Sequence, residues 1–394
     1  MLHSFTQPPT DPAFVQNPYP FYERARRSGS VFFWEDYGMP MALSTATVGA
    51  ILRDRRFGRE APAEMRAPVP ERLAPFYAVE ANSMLELEPP RHTRLRSLVL
   101  RAFTSRRIAT LAPEIAALSN ELTDAFPDGD FDLLPAFAQK LPVIIVARLL
   151  GVPEERAPDL VAWSNAMVTM YQARRTPETE DAAIAATRAF TDFLRGHVEE
   201  RRARPGDNLI THLIAAEEDG EHLSTDELIS TCILLLNAGH EASVHTIGNG
   251  VKALLENGLG AEALAPNRCE AAVEEILRYD PPRHLFTRWA YDDADIGGHS
   301  FRRGDKVGLL FAAANRDPQS WDMPDSFFPR RPVKASHSFG AGLHFCIGAP
   351  LARLELQTAL PILFQRLPGL ALAEPPTYAN LYPFHGLERL VVRH

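Results

Sequence analysis

At 394 residues, 45% apolar and 23% charged, the chain is composed like a globular protein able to bury a large core, which excludes disorder. A formal net charge of −9 argues against nucleic acid as a general partner. Cys232, Cys269 and Cys346 are too few and too widely spaced for a disulfide framework or a Cys-x-x-Cys zinc site, which fits a reducing cytoplasm.

Length alone suggests more than one domain, but no long Gly/Ser linker, low-complexity block or fixed repeat divides the sequence, so a single domain over residues 1–394 is expected. The first residues are polar and proline-bearing, without the apolar run of a signal peptide or membrane span, so a cytoplasmic chain with no membrane partner is expected. The spacing predicts a short helix from Tyr19 to Arg27, strands at Ser30 to Trp34 and Met39 to Ser44, and a helix from Thr45 to Leu52. Six prolines between Pro62 and Pro90 predict a long irregular segment.

A helix opens at Arg91 and continues to about Phe103, with His92 and Arg96 four apart and therefore on one face, where two donors can grip a carboxylate. Arg91, Arg94, Arg96, Arg101, Arg106 and Arg107 fall in a stretch without an acid, a candidate patch for an acidic partner or simply a solvated face. Helical spacing then runs Ile115 to Phe126, Ala138 to Leu150, Ala157 to Tyr171, Ala182 to Arg202 and Asn208 to Glu217, with one polar break at 172–181.

Ser224-Thr225-Asp226-Glu227 is a capping box that launches an apolar run from Leu228 to Leu255, long enough to cross a whole domain. Asn237, His240, Glu241 and His245 interrupt it, which argues against a membrane helix. Beyond it come Glu275 and Arg278 at i,i+3 on a helix, strands at Ala294 to Ile296 and Lys306 to Leu310, and a last strand from Glu388 to Val392. The overall class is mainly α with a smaller β-rich region (α+β), the β-rich parts lying near 28–60, 284–310 and 380–394 and the helical bulk at 91–280 and 349–367.

In Ser338-Phe339-Gly340-Ala341-Gly342-Leu343-His344-Phe345-Cys346-Ile347-Gly348-Ala349-Pro350, a lone cysteine sits among glycines at the start of an amphipathic helix. Unpaired amides at that helix end favour a thiolate, and a thiolate is what binds iron.

The spacing Phe339-x-x-Gly342-x-x-x-Cys346-x-Gly348 resembles the haem-ligand signature of the cytochrome P450 family, soluble bacterial type. That resemblance implies a P450-like fold with a long central helix over haem b, Cys346 as the iron ligand, and Phe339 and Gly348 beside it. It implies haem propionates held by His92, Arg96, Arg288 and His344. Arg331 is expected as the third partner of Glu275 and Arg278. A mobile lid is expected at the polar break 172–181. Met84, Leu85, Leu235, Leu285, Phe286 and Phe384 are expected pocket walls, with Phe76 and Tyr382 as further candidates.

Ala238-Gly239-His240-Glu241-Ala242-Ser243 is similar to the family's oxygen-activation motif, with small residues at 238 and 239 where the cofactor plane approaches. Ala242 stands where a threonine is expected, and its methyl group cannot donate a hydrogen bond to O2. Three accounts remain: Ser243 holding a water beside Glu241, a substrate hydroxyl supplying the donor, or an uncoupling change that is natural or engineered.

The implied activity is a monomeric monooxygenase inserting one atom of O2 into an apolar small molecule, with electrons from a separate ferredoxin and ferredoxin reductase. A peroxide-driven, desaturating or coupling haem enzyme is the alternative within enzymes; a haem-binding sensor or carrier is the alternative outside them.

Overall fold

A computed structural model describes residues 2–172, 175–217 and 220–394. Its longest element is the helix Thr225–Glu256. Ser224 accepts the backbone N–H of Glu227 at 3.2 Å, and Glu227 returns a carboxylate oxygen to the Ser224 N–H at 2.9 Å, so two otherwise orphaned donors are satisfied at the helix start. The helix is about 48 Å long and buried for most of its length, because other helices pack around it. Lys140–Leu150, Ala157–Val168, Pro177–Ala203, Cys269–Tyr279 and Ala349–Arg366 all rest against it and share one apolar cluster.

The main sheet runs in the order Ser4–Phe5, Val31–Trp34, Met39–Ala42, Lys306–Leu310, Leu285–Ala290, Phe57–Gly58, with both parallel and antiparallel pairs. It thus ties the first sixty residues to the segment that follows Arg278. Phe14, Phe21, Tyr22, Phe32, Trp34 and the returning Tyr382 form an aromatic core beneath it, where Tyr382 packs. Nearby, Asp280 accepts hydrogen bonds from Tyr19 and Tyr378 and is bonded to His385 Nδ1, which seats the C-terminal loop on the end of the helix Cys269–Tyr279.

Most predicted elements stand within one to three residues of their expected ends. Three differ. The last strand expected, Glu388 to Val392, is two, Leu387–Arg389 and Val391–Arg393, which pair in separate sheets. The segment 61–90 contains a helix, Ala74–Glu80, because Pro75 falls in its first turn, where a missing N–H costs nothing. The helix expected at Ala182 begins at Pro177, since Thr176 caps it by accepting the Thr179 N–H at 3.3 Å. The polar break therefore ends at Thr176, and Arg174 within it lies outside the described residues. Among the described residues no helix is long and apolar enough to cross a membrane.

Candidate functional site

The cysteine segment is a tight loop running into the helix Ala349–Arg366, whose first turn carries Pro350. Gly340 and Gly342 have φ of 68° and 69°, in the left-handed region that favours glycine. A Cβ on Gly342 would also stand 2.2 Å from the Leu52 carbonyl oxygen. Gly348, at φ −80°, needs no such freedom. Its N–H instead faces the Cys346 sulfur together with that of Ala349.

Cys346 keeps accessible surface although it is set deep in the protein, where burial raises its thiol above the usual range. A sulfur that is both deep and accessible faces an internal hollow. The two amides, Arg96 and Arg353 oppose the effect of burial and favour the thiolate. Phe339, whose carbonyl accepts the Cys346 N–H at 3.0 Å, lies under the Arg353 guanidinium at 4.6 Å.

The long helix carries the matching feature. Ala238 is exposed in the middle of an otherwise buried element, and Leu235, Glu241 and Ala242, three or four residues away on the same face, keep partial exposure. That stripe gives onto the interior. Gly239 turns toward Val146, where an added Cβ would make ordinary contact at 3.7 Å.

Around this hollow stand cationic and polar groups, some with donors left over. Among the described residues both ring nitrogens of the fully buried His92 lack a partner. Burial, with His344 and Arg96 nearby, pushes its pKa down to about 4, so the ring is neutral and needs an acceptor. Arg288 is 5% exposed and gives one Nη1 bond to the Thr287 carbonyl, with no carboxylate in ion-pair range among the described residues. Burial and Arg59 bring it down to about 9. His344 packs its ring against His92 with centroids 4.3 Å apart and bonds Glu88 through Nε2 at 2.9 Å. Arg96 donates to the Phe345 carbonyl at 2.6 Å, tying the helix Arg91–Ala102 to the cysteine loop. Buried donors without acceptors, close to a thiol on an internal hollow, fit a planar iron macrocycle that brings its own carboxylates.

Two further pairs flank Ala242. Glu241 bonds His245 Nε2 at 3.1 Å; burial alone would raise its carboxyl, but that hydrogen bond and the charges of His245 and His240 outweigh it and hold the carboxyl below its ordinary value. Ser243 donates to Glu355 Oε2 at 3.2 Å, in the helix that follows Cys346. Glu355 is 2% exposed, its other oxygen has no partner, and burial pushes its carboxyl up to about 8 against the Ser243 bond. Ser243 and Glu241 therefore serve separate partners. Glu355 was missed as a functional group from sequence; the available signal was an acid on the apolar face of a helix, nine residues after the cysteine.

The expected pocket walls divide. Leu285 and Phe286 alternate on one strand and point to opposite faces, so they cannot both line a cavity. Leu285 goes into the N-terminal core, where a Cβ on Gly308 would meet it at 2.9 Å. Phe286 stays half-buried against Phe311. Met84 and Phe76 are buried in the main core, whereas Leu85 and Leu235 keep partial exposure. Phe384 lies beneath the Arg283 guanidinium at 4.4 Å.

Below the site, Arg278 makes two bonds to Glu275 at 2.7 and 2.8 Å, Arg331 adds a third at 3.0 Å, and the Phe328 N–H a fourth at 2.8 Å. The rest of the Arg278 fork is taken by the carbonyls of Asn315, Pro324 and Ser326. Glu275 and Arg278 are fully buried and fully partnered, with Arg331 joining them from partial exposure.

Residues 269–369 match the family described as Cytochrome P450. The chain is 35% identical over 393 residues to "Cytochrome P450 monooxygenase PikC" of Streptomyces venezuelae, covering 96% of this chain and 92% of that protein. It is 38% identical over 320 residues to "6-deoxyerythronolide B hydroxylase" of Saccharopolyspora erythraea, covering 79% and 78%. The solved structure of P450BioI in complex with hexadec-9Z-enoic acid ligated Acyl Carrier Protein is similar at a TM-score of 0.90 and 32% identity, covering 98% of this chain and 100% of that one.

Proposed function

Because the chain belongs to the cytochrome P450 family and is a haem monooxygenase, we propose that it binds haem b through Cys346 and takes its electrons from a separate ferredoxin. When bound, the haem supplies iron on which O2 is activated, so that one oxygen atom enters the substrate and the other leaves as water. The observation that carries this reading is the Cys346 thiol, deep in the protein yet open to an internal hollow, with two backbone N–H groups directed at the sulfur. His92 and Arg288 would hold the propionates, His344 is bonded to Glu88 and packs on His92, and Arg96 braces the cysteine loop against its helix. The methyl group of Ala238 would allow the cofactor close approach. A reduced carbon monoxide spectrum tests thiolate ligation, and turnover with ferredoxin against peroxide tests the electron source.

Proton delivery runs, in this reading, from Glu355 to the Ser243 hydroxyl, with a substrate hydroxyl taking the place that Ala242 cannot fill. A carboxyl titrating near working pH can both give and regain a proton. Glu241 is engaged by His245 and supports the helix at that point. Ser243→Ala and Glu355→Gln should each lower product formed per reductant consumed by about tenfold to a hundredfold while leaving the reduced carbon monoxide spectrum intact. Unchanged yield in both variants would exclude the route. Stability supplies a second readout. The folded protein keeps the Glu355 proton up to about 8, whereas an ordinary glutamate releases it near 4.5, so between those values the native state binds more protons and loses stability as pH rises. Thermal scans of Glu355→Gln across that window should lack this component of the decline.

Electron delivery requires a partner on the surface outside the cysteine loop. Leu100, Leu343 and Phe345 are exposed apolar side chains there, 46%, 43% and 40% accessible. Of the arginine stretch, Arg94 pairs with Glu221 and Glu227, and Arg107 approaches Asp207 at 3.7 Å. Arg106 is exposed and, among the described residues, has no ion pair, which makes it the better probe of docking. Arg106→Glu should slow ferredoxin-driven turnover about tenfold at low salt and leave peroxide-driven turnover alone, with the deficit shrinking as salt rises.

A further inference from the structure

Arg283 follows Pro281-Pro282 and precedes the strand Leu285–Ala290. Its guanidinium lies over the rings of Phe384 and Phe286, at 4.4 and 4.9 Å, and its Nε donates to the Leu285 carbonyl at 3.0 Å. Among the described residues no carboxylate pairs with it, and its two terminal nitrogens have no hydrogen-bond partner. The charged neighbour is another cation, Arg59, and burial together with that repulsion brings the guanidinium down to about 10. Arg59 is itself engaged by Glu86 and the Leu85 carbonyl, while the carboxyl of Glu80 is taken by Tyr171. The neighbourhood therefore holds a cation but no acid free to neutralise it.

A second group points the same way. The Tyr37 hydroxyl is buried without a partner among the described residues and feels the charge of Arg283, so it is a further donor lacking an acceptor. The location ties these groups to the site. Phe286 packs on Phe311, which a Cβ on Gly340 of the cysteine loop would reach at 4.0 Å. Phe384 packs at 6.1 Å on His245, the partner of Glu241. Arg283 also lies five residues before Arg288 along an extended segment, about 16 Å away, so the two cations address different acceptors.

We propose that the substrate is an apolar molecule carrying a carboxylate, gripped by the two terminal nitrogens of Arg283 with the Tyr37 hydroxyl as an additional donor. This deepens the monooxygenase reading and rests on it. A planar guanidinium matches a carboxylate with two parallel bonds. Phe286 and Phe384 then flank the carbon adjoining the carboxylate, holding the acid end still while the apolar body extends toward the exposed face of Ala238 and Ala242. Arg283 is thus a positioning residue.

Optical titration of the haem-loaded protein with myristate, naphthylacetate and deoxycholate, each beside its primary amide, tests this. At least one acid should bind about tenfold to a hundredfold more tightly than its amide. Arg283→Leu should erase that preference while leaving amide binding and the reduced carbon monoxide spectrum in place, and Arg283→Lys should restore part of it. Tyr37→Phe should weaken the acid alone by a few fold, and it stands in if Arg283→Leu does not load haem. The assignment is overturned if no acid outbinds its amide, or if the preference survives in Arg283→Leu. A wild-type protein without the thiolate spectrum would sink the monooxygenase reading instead, and acid binding would then be read by equilibrium dialysis.

Discussion

Cys346→Ser is expected to abolish the thiolate signature in the reduced carbon monoxide spectrum and to lower monooxygenase turnover by more than about a hundredfold. Even partners outside a metal's own ligand set are worth about tenfold to a hundredfold, so loss of the ligand sets the lower limit. The physical reason lies in how the site is wired. Gly348 and Ala349 direct N–H groups at the sulfur while Arg96 and Arg353 add positive charge, an arrangement that stabilises an anion. A serine hydroxyl at the same position stays protonated and cannot supply that anion. The variant should still fold, because the loop is shaped by Gly340, Gly342 and the bond from the residue 346 N–H to the Phe339 carbonyl, none of which involves the sulfur. A circular dichroism spectrum equal to wild type, alongside the lost signature, separates ligation from folding. Persistence of the signature in a folded Cys346→Ser protein would refute the assignment.

The second large effect is expected at Glu275, which touches neither substrate nor haem. Glu275→Ala leaves Arg278 buried and without a counter-charge, and it orphans the Phe328 N–H and one donor of Arg331. Breaking a buried ion pair from one side costs about 3–5 kcal/mol. Whole proteins are stable by only about 5–15 kcal/mol, so the variant should be recovered in low yield, poorly loaded with haem and with a much lower melting temperature. Glu275→Gln keeps the volume and one acceptor and should lose less, about 1–3 kcal/mol. Arg278 anchors the backbone carbonyls of Asn315, Pro324 and Ser326, which lie on the approach to the cysteine loop. The damage should therefore appear first as lost haem and only then as unfolding; wild-type melting in Glu275→Ala would contradict the whole account of this triad.

Local features were legible wherever one stretch of chain carries its own instruction. The capping box at Ser224 and Glu227, the glycines and cysteine of residues 340–346, and the i,i+3 pair Glu275 and Arg278 are local chemistry, and each stands in the structure where its spacing placed it. The helix Ala74–Glu80 was hidden because prolines punctuate loops and also start helices, and composition does not separate the two uses. Leu285 and Phe286 read alike as apolar neighbours, and only the strand's alternation sends one to the core and the other toward the site.

What the amino-acid order determined alone was the family signature at Cys346, the helix-rich class and the buried ion-pair motif, because each depends on residues within a few turns of one another. Only the tertiary structure decided that Ser243 answers to Glu355, 112 residues away, that His344 answers to Glu88, 256 residues away, and that Arg283 pairs with no acid among the described residues. Those outcomes depend on which distant segments a folded backbone brings within about 3 Å, and on how much water that packing removes.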